Sequence, residues 1–201
     1  MDYKERELKL LLEQETYEGM LRNAAEVLAP LEQTNYYFDT PDFRLGKSGI
    51  MLRIRKENAD WILCQKIKEN VTSTFLSSIE MEQPVTEEIF EACKQQAGEM
   101  IPLLPEKGQQ AVTNLISPSE LGFRGSLSNK RYPIKLIDDY VFELDHTLFP
   151  DGNEQYELEI EGIKNEDEVE TILRTLTQLG YTYTINKKGK YARFKEALER
   201  V

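Results

Sequence analysis

The chain has little of what most metal and nucleophilic enzymes depend on: its 201 residues include two cysteines and one histidine. Cys64 and Cys93 lie far apart, which argues against a disulfide framework and against a structural zinc site. A lone His146 leaves no ligand set for catalytic zinc and no base for a Ser-His-Asp triad. No run approaches the roughly 18–20 apolar residues that span a bilayer. The opening MDYKERELKL lacks the apolar stretch of a signal peptide. There is no Gly-rich Walker loop, which excludes a P-loop nucleotide site. Basic charge is also in deficit. Lys and Arg number 25 against 36 Asp and Glu, a net charge of −11 that repels nucleic acid and anionic membranes. These absences predict a cytoplasmic protein with no membrane or nucleic-acid partner, in which any metal is held by carboxylates.

What is present is charge, 30% of all residues, set in a regular pattern. Length and texture predict one domain over residues 1–201. Period-2 alternation, much of it ionic, marks segments Lys4–Leu12, Gly49–Lys56, Trp61–Lys68, Ser77–Gln83, Tyr132–Ile137, Tyr140–Leu144 and Tyr156–Glu161. Thr182–Asn186 is a shorter candidate, giving up to eight strands. Helical spacing marks Thr16–Leu28, Thr86–Ala97 and Asp167–Leu179, the last stopping at Gly180. The proline- and glycine-bearing stretch 99–128 reads as short helices and loops. It forms the greater part of a mostly helical excursion at about 87–128.

Because strand side chains alternate faces, each ionic set points one way. Glu5, Glu7 and Lys9 share a face, as do Arg53 and Arg55, Glu80 and Glu82, Glu143 and Asp145, and Glu157, Glu159 and Glu161. Two arrangements fit. In one, the charges face solvent and the apolar faces meet as a sandwich core. In the other, the strands close into a barrel with an apolar exterior under helices and an ionic interior. The amphipathic helices favour the second, since a sealed sandwich leaves their apolar faces nowhere to dock. An eight-stranded barrel has room inside for side chains or one small ligand. Arginine and lysine lining such a space call for a multivalent anion. A neighbouring ring of carboxylates calls for a hard cation, Mg²⁺ or Mn²⁺. A phosphate chain with its metals satisfies both.

Glu5-Arg6-Glu7-Leu8-Lys9 is a Glu-x-Glu-x-Lys signature on the first strand. Taken with Tyr36-Tyr37-Phe38-Asp39-Thr40, Leu52-Arg53-Ile54-Arg55, Lys66 and Tyr156-Glu157-Leu158-Glu159-Ile160-Glu161, it makes nearly the whole chain resemble the CYTH family, the triphosphate tunnel metalloenzymes. The resemblance implies an α+β fold, an eight-stranded antiparallel closed β-barrel with helices packed outside. It implies divalent-metal-dependent hydrolysis of a triphosphate-containing small molecule, either inorganic tripolyphosphate or an organic triphosphate. A non-catalytic polyphosphate or nucleotide sensor and an adenylyl cyclase-type lyase are the alternatives. On this resemblance Glu5, Glu7, Asp145, Glu157 and Glu159 would bind metal. Lys9, Arg53, Arg55 and Lys66 would be catalytic and grip phosphate, joined in substrate binding by Arg131 (favoured over Arg124), Lys187 and Lys190. Paired barrels, a homodimer, are in keeping with it. Glu80, Glu82 and Glu161 receive no firm role.

The remaining notable side chains have simpler readings. Trp61, Tyr36, Tyr37, Tyr181 and Tyr183 are expected to pack in cores rather than stack on a base. His146 is expected at a strand end facing solvent.

Overall fold

A computed structural model describes residues 2–69, 73–137 and 140–201. Eight strands close into one barrel. In chain order they are β1 (Asp2–Leu12), β3 (Leu31–Asp39), β4 (Ile50–Glu57), β5 (Asp60–Lys68), β6 (Leu76–Val85), β7 (Gly122–Lys135), β8 (Phe142–Leu148) and β9 (Glu154–Glu161). Their order around the barrel is β1-β6-β5-β4-β3-β7-β8-β9, and β9 pairs with β1 to complete the circuit. Every pairing is antiparallel. The charges face inward, which rejects the sandwich. Two short strands sit on the rim: β2 (Glu26–Val27) pairs with β7, and β10 (Thr184–Ile185) with β1.

The eighth stave is not the one the sequence pattern offers. Thr182–Asn186 supplies only a two-residue rim pairing. The missing stave is β3, whose inward residues Gln33, Asn35 and Tyr37 are buried but uncharged. Without ionic alternation it did not resemble its neighbours. Strand β7 begins ten residues before the expected Tyr132, because Gly122, Gly125, Ser126 and Ser128 carry the composition of a loop. Gly125 has φ +133, and a Cβ there would meet the Phe194 ring at 3.3 Å. The register shifts between Tyr37 and Phe38 at this same place. Strand β8 is Phe142–Leu148 rather than Tyr140–Leu144.

Helix α1 (Gln14–Asn23) is shorter than Thr16–Leu28 at its end, since Glu26–Val27 leaves to pair with β7. Helix α2 (Arg44–Lys47) is one turn after β3. Helix α3 (Glu87–Gln95) is capped by the Thr86 hydroxyl, which accepts from the Ile89 amide at 3.4 Å. Helix α5 (Glu166–Gln178) is capped by Asn165, which accepts from the Glu168 amide at 3.0 Å. Helix α4 (Glu106–Thr113) and two 3₁₀ turns fill the rest of the excursion. Helix α6 (Lys190–Leu198), near the C-terminal end, was not foreseen.

The apolar outer face of the barrel is covered in two regions. Leu52, Ile54, Trp61 and Leu63 pack under Phe90, Met100, Ile101 and Val112 of the excursion. Leu8, Leu10, Leu144, Leu158 and Ile160 pack under Tyr17 and Met20 of α1 and Val169, Ile172 and Leu176 of α5. A third cluster lies inside one end. Tyr37, Met51, Leu127 and Phe149 receive Phe194 and Ala197 of α6, so this helix plugs the barrel. Trp61 and Tyr36 stack outside with Phe90, as core residues do. His146 lies half-exposed, stacked on Tyr156 and bonded to Glu154 at 2.7 Å.

Candidate functional site: an ionic tunnel

Pleat alternation delivers ionic side chains of seven strands to one cavity of about 520 Å³. From β1 come Glu5, Glu7 and Lys9, all nearly inaccessible to solvent. Arg53 and Arg55 come from β4, Lys66 from β5, and Glu80 and Glu82 from β6. Arg131 comes from β7, Glu143 from β8, and Glu159 and Glu161 from β9. Lys190 enters from the first turn of α6, and Lys187 stands exposed just before it at the rim.

The lumen divides into two groups joined by Lys9, whose Nζ lies 2.7 Å from Glu7 and 2.6 Å from Glu159. In the first group Lys66 pairs with Glu5 and lies 3.2 Å from Glu80 and 3.8 Å from Glu7. Arg53 reaches Glu80 at 3.6 Å, and Arg55 reaches Glu82 at 3.1 Å. In the second group Arg131 forks onto Asp145 at 2.8 and 2.7 Å and also reaches Glu159 at 2.7 Å and Glu143. Lys190 contacts Asp145 at 2.7 Å, Glu157 at 2.8 Å and Glu159. Arg193 bonds Glu157 at 2.6 Å.

Burial and charge oppose each other throughout. Burial alone would lower the pKa of Lys9, but Glu159, Glu7 and Glu157 hold it well above its usual range. Burial would raise Glu159, yet Lys190, Lys9 and Arg131 keep it well below the usual carboxylate value. Asp145 is likewise lowered against burial by Arg131 and Lys190. Glu161 goes the other way. Burial of its carboxyl, then the negative charges of Glu143 and Glu5, push it up to about 8, although the residue as a whole is exposed at the mouth.

The five acids expected to bind metal therefore fall apart in character. Glu5 and Glu7 join Glu161, with one carboxylate oxygen from each within 4.8 Å of the others. Asp145, Glu157 and Glu159 form a second such triad, engaged by two guanidinium groups, Arg131 and Arg193, as well as by Lys190. The first triad fits a hard divalent ion: its donors are all carboxylate oxygens, with Lys66 beside Glu5 and Lys9 beside Glu7. The buried polar network around Asp145 was not foreseen. Asn129 donates to Gln33 at 2.8 Å and to Asp145 at 3.0 Å, and Thr147 donates to Asn129 at 2.7 Å. Strand period could have found it, because Asn129 lies two before Arg131 and Thr147 two after Asp145. Arg193 was findable as the i+3 neighbour of Lys190 on a helix. Arg124 stays out of the lumen set, its Nε donating to the Gly122 carbonyl at 3.3 Å.

An antiparallel eight-stranded barrel with an ionic lumen and helices outside defines the class: a triphosphate tunnel fold. The chain belongs to the CYTH family, whose domain profile matches residues 3–194. The family's members are metal-dependent enzymes that bind triphosphate-containing substrates. Among solved structures, HpAC1 of Hippeastrum, a proposed adenylyl cyclase with a dominant triphosphatase activity, superposes with a TM-score of 0.80 at 24% identity, covering 96% of this chain and 95% of that one. A proposed adenylate cyclase of Bacillus halodurans gives 0.75 at 26% identity, covering 96% and 98%. PH1819 of Pyrococcus horikoshii gives 0.64 at 18%, again covering 96% and 98%. No curated protein matches the chain. No helix among the described residues is long and apolar enough to cross a membrane.

Proposed function

We propose that this chain hydrolyses a triphosphate, inorganic tripolyphosphate or an organic triphosphate, inside the barrel with Mg²⁺ or Mn²⁺. The observation that carries the reading is the convergence of Lys9, Arg53, Arg55, Lys66, Arg131 and Lys190 on one enclosed lumen beside the Glu5–Glu7–Glu161 triad. The cations are the groups that hold the non-bridging oxygens of a phosphate chain, with guanidinium forks taking two oxygens each. Their present partners are carboxylates, so substrate exchanges one set of anions for another in a site already organised for charge. A divalent ion held by Glu5 and Glu7, with Glu159 or Glu161, would neutralise charge on the phosphoryl oxygens. Arg53, Arg55, Lys66 and Arg131 stabilise the equatorial oxygens while water attacks the terminal phosphorus in line.

The test is phosphate release from tripolyphosphate, thiamine triphosphate, ATP and GTP with each metal. Turnover of at least one substrate that stops when the metal is chelated supports the reading. Cyclic nucleotide from ATP would replace it with a lyase, and ligand-induced stabilisation without product would replace it with a sensor.

A further inference from the structure

Helix α6 is tethered to the barrel from two sides. Period 3.6 puts Lys190, Arg193, Phe194 and Ala197 on its inner face, with Lys190 among the lumen carboxylates and Phe194 fully buried in the plug. Its first turn lacks the usual fastening, for Gly189 at the N-cap offers no side-chain acceptor. A second fastening comes from Tyr191, the residue after Lys190. The Tyr191 hydroxyl donates to Asp39 Oδ2 at 2.6 Å. Asp39 is fully buried at the end of β3, and its carboxylate also accepts the amides of Thr40 at 2.7 Å, Leu45 at 3.0 Å and Gly46 at 2.9 Å. This anchor is rigid because it is itself the N-terminal brace of α2. The fit is close: a Cβ on Gly46 would lie 2.9 Å from the Tyr191 ring and 3.0 Å from Lys195 Nζ.

We propose that the Asp39–Tyr191 hydrogen bond, seated against Gly46, is a positioning latch that holds the Lys190 ammonium in the lumen. Lys190 is pinned from inside by Asp145, Glu157 and Glu159, and a phosphate chain competes for those very contacts. Once they are exchanged, the first turn of α6 keeps its place through Tyr191, one residue away. The functional half of this inference rests on reading Lys190 as a phosphate-holding cation.

Two arms test it in the full chain. Brief acylation with acetic anhydride, read by peptide mass spectrometry, measures access to Lys190 without any ligand. Tyr191→Phe and Gly46→Ala should each raise Lys190 labelling about threefold or more, with Lys9 labelling unchanged, since one hydrogen bond to a carboxylate shifts a local equilibrium by about that factor or more. Unchanged Lys190 labelling, or an equal rise at Lys9 that marks general loosening, overturns the latch. In the second arm, calorimetry with inorganic tripolyphosphate should show about tenfold weaker binding for Tyr191→Phe, and less than about twofold change when Lys190→Ala is already present. Equal losses in both backgrounds overturn the proposal. A wild-type chain that does not bind tripolyphosphate overturns the triphosphate reading alone, and the labelling arm still decides the latch.

Discussion

Glu7 sits where three contacts meet: it faces Glu5 and Glu161, pairs with Lys9, and lies 3.8 Å from Lys66. Glu7→Gln keeps the shape and removes the charge. Metal-dependent phosphate release should fall by about a hundredfold or more, the scale lost when a preorganised electrostatic group is removed. The circular dichroism melt should stay cooperative; unchanged turnover would detach Glu7 from the metal site. The thiols give a second residue-scale prediction. Burial pushes Cys64 and Cys93 each up to about 11 from about 9. A raised pKa in the fold means stability that is whole below the unfolded value and lost as pH rises through the folded one. Denaturation midpoints should therefore decline between about pH 9 and 11. Iodoacetamide at pH 8 should modify neither thiol of the native chain and both once it is unfolded. Rapid native labelling of Cys64 would contradict its place inside the barrel wall.

At the scale of elements, α6 does most with least. Nine residues supply the plug, Lys190 and Arg193. Phe194→Ala should cost about 3–5 kcal/mol, the range for removing a buried aromatic ring, measured as a fall in the urea midpoint. A cost below about 1 kcal/mol would mean that the plug is not packed as described. The elements also show what a sequence exposes. Strands β1, β4 and β9 were legible because ionic alternation is rare in ordinary half-buried strands. Glu5, Arg53 and Glu159 were placed together for the same reason. Strand β3 escaped because Gln33 and Asn35 meet the lumen as neutral amides, and the first half of β7 escaped behind its glycines and serines. Helix α6 escaped although Lys190 was expected in the site, because Gly189 and the lysines around it gave no helical signal. The choice between Glu159 and Glu161 beside Glu5 is a matter of ion pairing across strands, which no pattern within one strand encodes.

For the whole molecule, the 30% of charged residues and the barrel belong together. The outer faces of the sheet are apolar and lie under helices, so many of the strand charges are turned inward, where they need partners. Cations and anions pair over most of the lumen, and the Glu5–Glu7–Glu161 corner sets three carboxylates beside Lys66 and Lys9. A divalent cation should therefore stabilise the fold even without substrate, by the linkage of binding to folding. Millimolar Mn²⁺ should raise the melting temperature by a few degrees in the wild type and much less in Glu5→Gln. Equal shifts in both would place the ion elsewhere. The most direct measurement is a crystal structure with Mn²⁺ and tripolyphosphate, using anomalous scattering to find the metal. The account predicts Mn²⁺ within coordination distance of Glu5 and Glu7, with phosphate oxygens on Arg53, Lys66 and Arg131. Manganese or tripolyphosphate bound only on the outer surface, with the lumen ion pairs intact, would contradict it.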